Sequence, residues 1–208
     1  MHLVRKFSKV GDLLADFAKA TKRIKNRKQT FNGKNTGPGK LESVPVEPKK
    51  TDAHGAETGE VNKPKPPPPH RTIKETHGTN TATWTVDDNG RPISVEAKLD
   101  STYSGGRSSA EKKAQRTVGG DSRLTDDDGG HMIGHRFMSD QGEKNLFPQS
   151  SNINRGAYKS MENEWADWTS EGFEIRLKVE LDPPGSDRPD TISADYEVYE
   201  SYKLWCRI

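Results

Sequence analysis

Hydrophobic residues are scarce in this 208-residue chain. They make up 29% of it, against the ~45–50% of an ordinary globular protein with glycine counted, and the 19 glycines do not close the gap. Part of the chain is therefore expected to build no core. Cysteine is nearly absent: with Cys206 alone no intrachain disulfide framework can form, and pairing says nothing of the redox compartment. No apolar run approaches the ~20 residues of a membrane span. Residues 1–9 also lack the apolar stretch of a secretory signal peptide. Action outside the producing cell would then need a different export route.

The net charge of +2 conceals a division. Residues 1–75 carry 17 Lys and Arg against 8 Asp and Glu, whereas 76–208 carry 16 against 23, so the basic character belongs to the N-terminal third. Leu3, Phe7, Val10, Leu14, Phe17, Thr21 and Ile24 recur at alternating spacings of four and three, which predicts a basic amphipathic helix over 1–29. Its cations gather toward the end (Lys22, Arg23, Lys25, Arg27, Lys28), where they complement the helix dipole. Such a face suits packing on another element, a membrane surface or nucleic acid. Residues 30–75 show no periodicity. Gly37-Pro38-Gly39 and the run from Lys63 through Pro69 predict a disordered Pro-rich linker, with a proline-motif ligand as the other reading. The first 75 residues are accordingly expected to be dispensable for catalysis by the rest.

Residues 76–208 read as one domain. Two β-rich runs, 81–86 and 92–97, flank Asn89-Gly90 and predict an opening hairpin with a type I′ turn. A short helix is expected over 109–116. Residues 154–172 carry the punctuation of a helix: Asn154 as N-cap, Tyr158, Met161, Trp165 and Trp168 at helical spacing, and Gly172 as stop. Phe173, Ile175, Leu177, Val179 and Leu181 alternate with charged residues, and Ile192, Ala194, Tyr196 and Val198 repeat the pattern. Two paired antiparallel strands follow, each with one buried face.

Chemistry concentrates between the hairpin and the helix. Asp126-Asp127-Asp128-Gly129-Gly130-His131 is followed by Asn145-Leu146-Phe147-Pro148-Gln149, then Asn152-Ile153-Asn154-Arg155-Gly156, and then Glu162. Over 126–165 this order and spacing closely resembles the DNA/RNA nonspecific endonucleases of the ββα-metal (His-Me finger) type, above all the branch supplying C-terminal nuclease domains of bacterial polymorphic toxins. The resemblance implies an α+β fold, a ββα-metal finger on an antiparallel sheet. It implies His131 as general base, Asn154 as the direct protein ligand of Mg²⁺ (or Mn²⁺), Glu162 as the residue orienting metal-bound water, and Asn145 and Gln149 in support. It further implies cleavage of DNA, with RNA a second substrate, a cognate immunity protein, and delivery by a non-classical route into the cytoplasm of a target cell.

The residue chemistry is compatible with that reading. Phosphodiester hydrolysis needs a nucleophile, neutralisation of the transition state and a route for the leaving oxygen; a hard cation with bound waters can supply the last two. A neutral amide oxygen suits Mg²⁺, which keeps most of its waters, and histidine can accept a proton at neutral pH. Read singly, the residues have plainer roles: a solvated acidic turn, a helix cap, an exposed helical glutamate. His131 and His135 stand four apart, but no Cys pair or further His nearby completes a zinc set. Trp165 and Trp168 read as core. Family members commonly have arginine where this chain has Gly129. Arg107, Arg116, Arg123, Arg136 and Arg155 are the possible substitutes, with Arg136 and Arg155 taken as substrate-binding. The departure, and the acidic balance of the domain, keep open a second reading: a catalytically weakened nuclease-like module that binds nucleic acid or a partner.

Overall fold

A computed structural model describes residues 21–32 and 70–201. Period-two alternation dominates it, and a six-stranded antiparallel sheet results, ordered β1-β8-β7-β4-β3-β2. The strands are β1 (Thr21–Asn32), β2 (His70–His77), β3 (Asn80–Asp87), β4 (Pro92–Leu99), β7 (Phe173–Asp182) and β8 (Thr191–Ser201). A separate two-stranded ladder joins β5 (Asp127–His131) to β6 (Leu146–Ser150). The helices are α1 (Ser109–Thr117) and α2 (Lys159–Ser170). The architecture is α+β, as expected.

One face of the large sheet is apolar because the alternation in β7 and β8 is regular: Ile175, Leu177, Val179 and Leu181, with Ile192, Ala194, Tyr196 and Val198, are all buried. α2 lies on that face through Met161 and Trp165, whose ring meets Tyr196 edge-on at 5.6 Å between centroids. Trp168 packs at the margin against Phe173. Gly172 ends the helix at φ +90°, a conformation that costs glycine little, and its N–H donates to the Thr169 carbonyl.

The N-terminal expectations change. Of the predicted helix over 1–29, residues 1–20 lie outside the described residues, and Thr21–Asn32 is a strand. The edge of β8 offers this segment a full antiparallel ladder, and tertiary pairing overrides a local helical period. From Arg27 onward alternate positions turn inward, ending at buried Phe31. Likewise the predicted linker over 30–75 gives way at both ends, to the last residues of β1 and to β2, which pairs with β3 along its whole length. Residues 33–69 lie outside the described residues.

The β3–β4 hairpin forms where expected but with a different turn. Gly90 alone has positive φ (+81°). The Asp87 carboxylate accepts from the Asn89 and Arg91 amides at 2.9 and 2.8 Å, holding a three-residue loop with Gly90 in the left-handed position. The hairpin does not open the domain either, since β2 precedes it.

Candidate active site

β5, β6 and the helix after them form a ββα unit whose parts are fastened together by buried polar groups. Asn145, fully buried, accepts from the Ile133 amide at 3.1 Å and from the Trp84 indole N–H at 3.2 Å, and donates to the Ile133 carbonyl at 2.8 Å. It therefore staples the 132–145 loop to the sheet. The Tyr158 hydroxyl donates to the Met132 carbonyl at 2.7 Å, fixing the helix against the end of β5. The helix begins with a widened π turn, Ile153–Tyr158. Asn154 thus lies inside helical structure and is not the expected N-cap. Tight packing explains two glycines: a Cβ on Gly130 would stand 2.5 Å from Gln149 Oε1, and one on Gly129 would stand 2.2 Å from the Gln115 carbonyl oxygen of α1. An arginine at position 129 is excluded by the helix lying there.

His131 closes β5 almost fully buried, with Nε2 3.1 Å from Glu111 Oε1. Glu111 sits in the first turn of α1, in a Ser-x-x-Glu pattern that ordinarily has the glutamate reaching back to the N-cap amide. Here Ser108 Oγ still accepts from the Glu111 amide, but the Ser108 N–H is taken by the Asp140 carboxylate at 3.2–3.4 Å. Glu111 is thereby free to hold His131 through one oxygen and the Gly142 N–H, at 2.9 Å, through the other. Burial works to raise the Glu111 pKa, yet His131 and Gly142 hold it below its ordinary value. Burial pushes His131 down against the pull of Glu111, and Arg107 adds to the fall. A neutral imidazole with Nε2–H directed at a carboxylate results, leaving Nδ1 as its basic nitrogen.

Asp128 organises the other wall. It accepts from Asn154 Nδ2 at 2.9 Å and from Arg155 Nε and Nη2 at 2.8 and 2.6 Å. The Asn154 side-chain oxygen is left as that amide's remaining acceptor. Glu162, half-buried, approaches Gly134 so closely that a Cβ there would stand 2.6 Å from its Oε1. Burial pushes the Glu162 pKa up to about 7, opposed by Arg136, Arg107, Lys159 and the Gly134 N–H. A second imidazole–carboxylate pair joins His135 Nε2 to Asp140 Oδ1 at 2.9 Å.

These groups line one cleft of 380 Å³: His131, His135, Asn154 and Glu162 share it with Arg107, Arg136, Arg155 and Lys159. Four cations lining the cleft answer the acidic balance of the domain, because a polyanion meets the cleft and not the average. A larger groove of 610 Å³ on the outer face of the sheet has none of the expected site residues and alternating Lys and Glu instead. Of the expected residues, His131, Asn154, Glu162, Arg136 and Arg155 come together. Arg136 donates to Asn163 Oδ1 at 3.0 Å, and Arg155 is tied to Asp128. Asn145 and Gln149 stay outside the cleft and shape it from behind. Of the remaining arginines considered, Arg123 is spent on the Gln115 and Asp127 carbonyls, while Arg107 reaches the cleft. From the sequence, His135 enters only through the rejected zinc reading, and Glu111 and Asp140 not at all. The Ser-x-x-Glu pattern would have found the start of α1, but not the turning away of its glutamate.

A buried imidazole beside a basic, oxygen-lined cleft on a ββα unit is a setting suited to a phosphodiester. The match to the DNA/RNA non-specific endonuclease family over residues 70–199 agrees, and the chain belongs to that family. It is 38% identical over 122 residues to the type VII secretion system protein EssD of Staphylococcus aureus, in strain USA300 and equally in strain NCTC 8325 / PS 47. The match covers 55% of this chain and 19% of those proteins, so the chain spans about a fifth of the relatives' length.

Among the described residues no group of three or more His, Cys, Asp and Glu is gathered as for a tightly held metal. The donors in the cleft are nevertheless hard oxygens, the Asn154 amide and the Glu162 carboxylate. They fit a cation that keeps most of its waters.

Proposed function

We propose that this chain is a Mg²⁺-dependent endonuclease (Mn²⁺ being the alternative) that hydrolyses DNA and RNA without sequence preference. The observation that carries the reading is the convergence of the Glu111-held His131 with Asn154 and Glu162 on one basic cleft. His131 Nδ1 takes a proton from the attacking water. Glu111 fixes the tautomer and stabilises the imidazolium that forms, as an aspartate does behind a serine protease histidine. Arg107 and Arg136 hold the phosphate, while Arg155 also keeps Asp128 in place and so orients Asn154. Asn154 would hold the cation directly and Glu162 would orient a water bound to it, and the cation supplies charge neutralisation at the phosphate when bound. A divalent cation beside Glu162 would also draw its carboxyl back to the ionised form.

The relatives' name, type VII secretion system protein, supports a secreted role. We read the domain as the toxic end of an antibacterial effector, exported by a non-classical route, acting in the target cytoplasm and restrained in its producer by an immunity protein. The test is degradation of plasmid DNA and of a structured RNA with Mg²⁺, after chelation, and after readdition. Reversible loss on chelation is expected, together with a loss in Asn154→Ala out of proportion to the modest fall in melting temperature that losing its bond to Asp128 brings. Undiminished cutting by Asn154→Ala in excess EDTA would contradict the assignment.

A further inference from the structure

The hydrolysis just described leaves the departing oxygen to the cation's bound waters and gives it no side chain. Four observations converge on His135. It lines the same cleft as His131, with 6.5 Å between ring centroids. Each ring reaches ~2.6–3.2 Å through a hydrogen bond, so the two can bracket a single phosphate. Its Nε2 is held by Asp140 at 2.9 Å as His131 is held by Glu111. And Asp140 is the one non-glycine residue at positive φ (+45°) among those described, a conformation that turns its carboxylate toward His135 and Ser108 together.

The two carboxylates are also locked to each other. The Ser108 N–H at the start of α1 donates to Asp140, while the Gly142 N–H in the loop donates to Glu111, so α1 and the 139–142 segment clasp reciprocally. A single contact between two elements therefore sets both histidines. Resting on the nuclease reading above, we infer that His135 is a second catalytic residue, the proton donor to the leaving oxygen, with Asp140 as its positioning residue. In the protonated ring Nε2–H serves Asp140 and Nδ1–H serves the substrate. The step balances. Water loses a proton to His131 as its oxygen bonds to phosphorus; the ester P–O bond breaks, and the departing alkoxide takes the proton of His135. Exchange with solvent then returns both rings to their starting states.

The test compares a DNA duplex with one in which sulfur replaces the bridging oxygen at the scissile position, the 3′ and 5′ bridging atoms being tried in turn. A thiolate leaves without a proton, as the thiol pKa of ~8.5 implies. His135→Ala should cut the oxygen substrate ~10²-fold or more slowly and the sulfur substrate at close to the parent rate. His131→Ala should be slow on both. Asp140→Asn, which tolerates positive φ and so keeps the backbone, should repeat the His135→Ala pattern more weakly; a merely structural role would slow both substrates alike. Equal slowing of His135→Ala on oxygen and sulfur, or parental rates on oxygen, would overturn the inference. Failure of the parent on every substrate would instead strike the nuclease reading itself.

Discussion

Burial lowers the His131 pKa and the neighbouring Glu111 charge raises it, with burial the stronger. The acid limb of the pH–rate profile should therefore have its midpoint below the ordinary ~6.5 of histidine. Activity falls as pH drops through that midpoint, because the base becomes protonated. Glu111→Gln removes the opposing charge, so the limb should move to still lower pH while the plateau rate falls. Measuring kcat/KM against pH on a short oligonucleotide checks both, and an unmoved limb would deny Glu111 its role. Gly134 provides a second test at this scale. A methyl group there would meet the Glu162 carboxylate at 2.6 Å, and Glu162 is the movable partner. Gly134→Ala should thus cost activity far more than stability. For His131 and Glu162 the family resemblance implies a role, whereas Glu111, twenty residues from its histidine, has no local pattern connecting the two.

α1 is short and polar, yet it is held down on β5 by backbone. Gln115 Nε2 donates to the Gly129 carbonyl at 3.1 Å, and the Gln115 carbonyl oxygen would lie 2.2 Å from any Cβ at position 129. Restoring the arginine common at this place should consequently fail as a gain of function. Gly129→Ala should already cost ~1–3 kcal/mol by overpacking, read as a lower melting temperature, and Gly129→Arg more. If Gly129→Arg were stable and faster, the helix could not lie where it does. Period-two strands β3, β4, β7 and β8 were legible because one face of each is buried and the other charged. The helix through 154–172 was legible in its apolar spacing and its Gly172 stop, but its π turn was not, because apolar spacing does not mark it and the bonds its Asn154 and Tyr158 make, to Asp128 and Met132, are remote in sequence. β1 was misread as helix because its pairing partner lies some 170 positions away.

β1 couples the sheet to the helix behind the site. Phe31 packs edge-on against Tyr158 at 5.4 Å between centroids, and Arg27 bonds Glu164 at 2.9 Å. β1 and most of β2 lie within residues 1–75, so the expectation that these residues are dispensable gives way to the opposite prediction. A chain beginning at His70 should melt well below the full chain and lose activity, and Phe31→Ala alone should cost ~3–5 kcal/mol, toward the lower end at this sheet edge. At the opposite side of the finger, Asp127 is held by Arg188 at 2.7 and 2.9 Å. Burial works to raise the Asp127 pKa, but Arg188 and the Leu124 N–H hold it below its ordinary value. That stabilisation is present above the unfolded pKa of ~3.9 and is lost as pH falls through the lower folded value. Arg188→Ala should cost ~3–5 kcal/mol near neutrality by stranding a buried carboxylate. The proposed cleavage rests on His131 as its base. The direct measurement is the Mg²⁺-supported cleavage rate of His131→Gly beside the parent, with melting curves, in the presence and absence of added imidazole. A folded variant slowed ~10²–10⁴-fold and partly restored by imidazole is the predicted result; a folded variant cutting at close to the parental rate would contradict it.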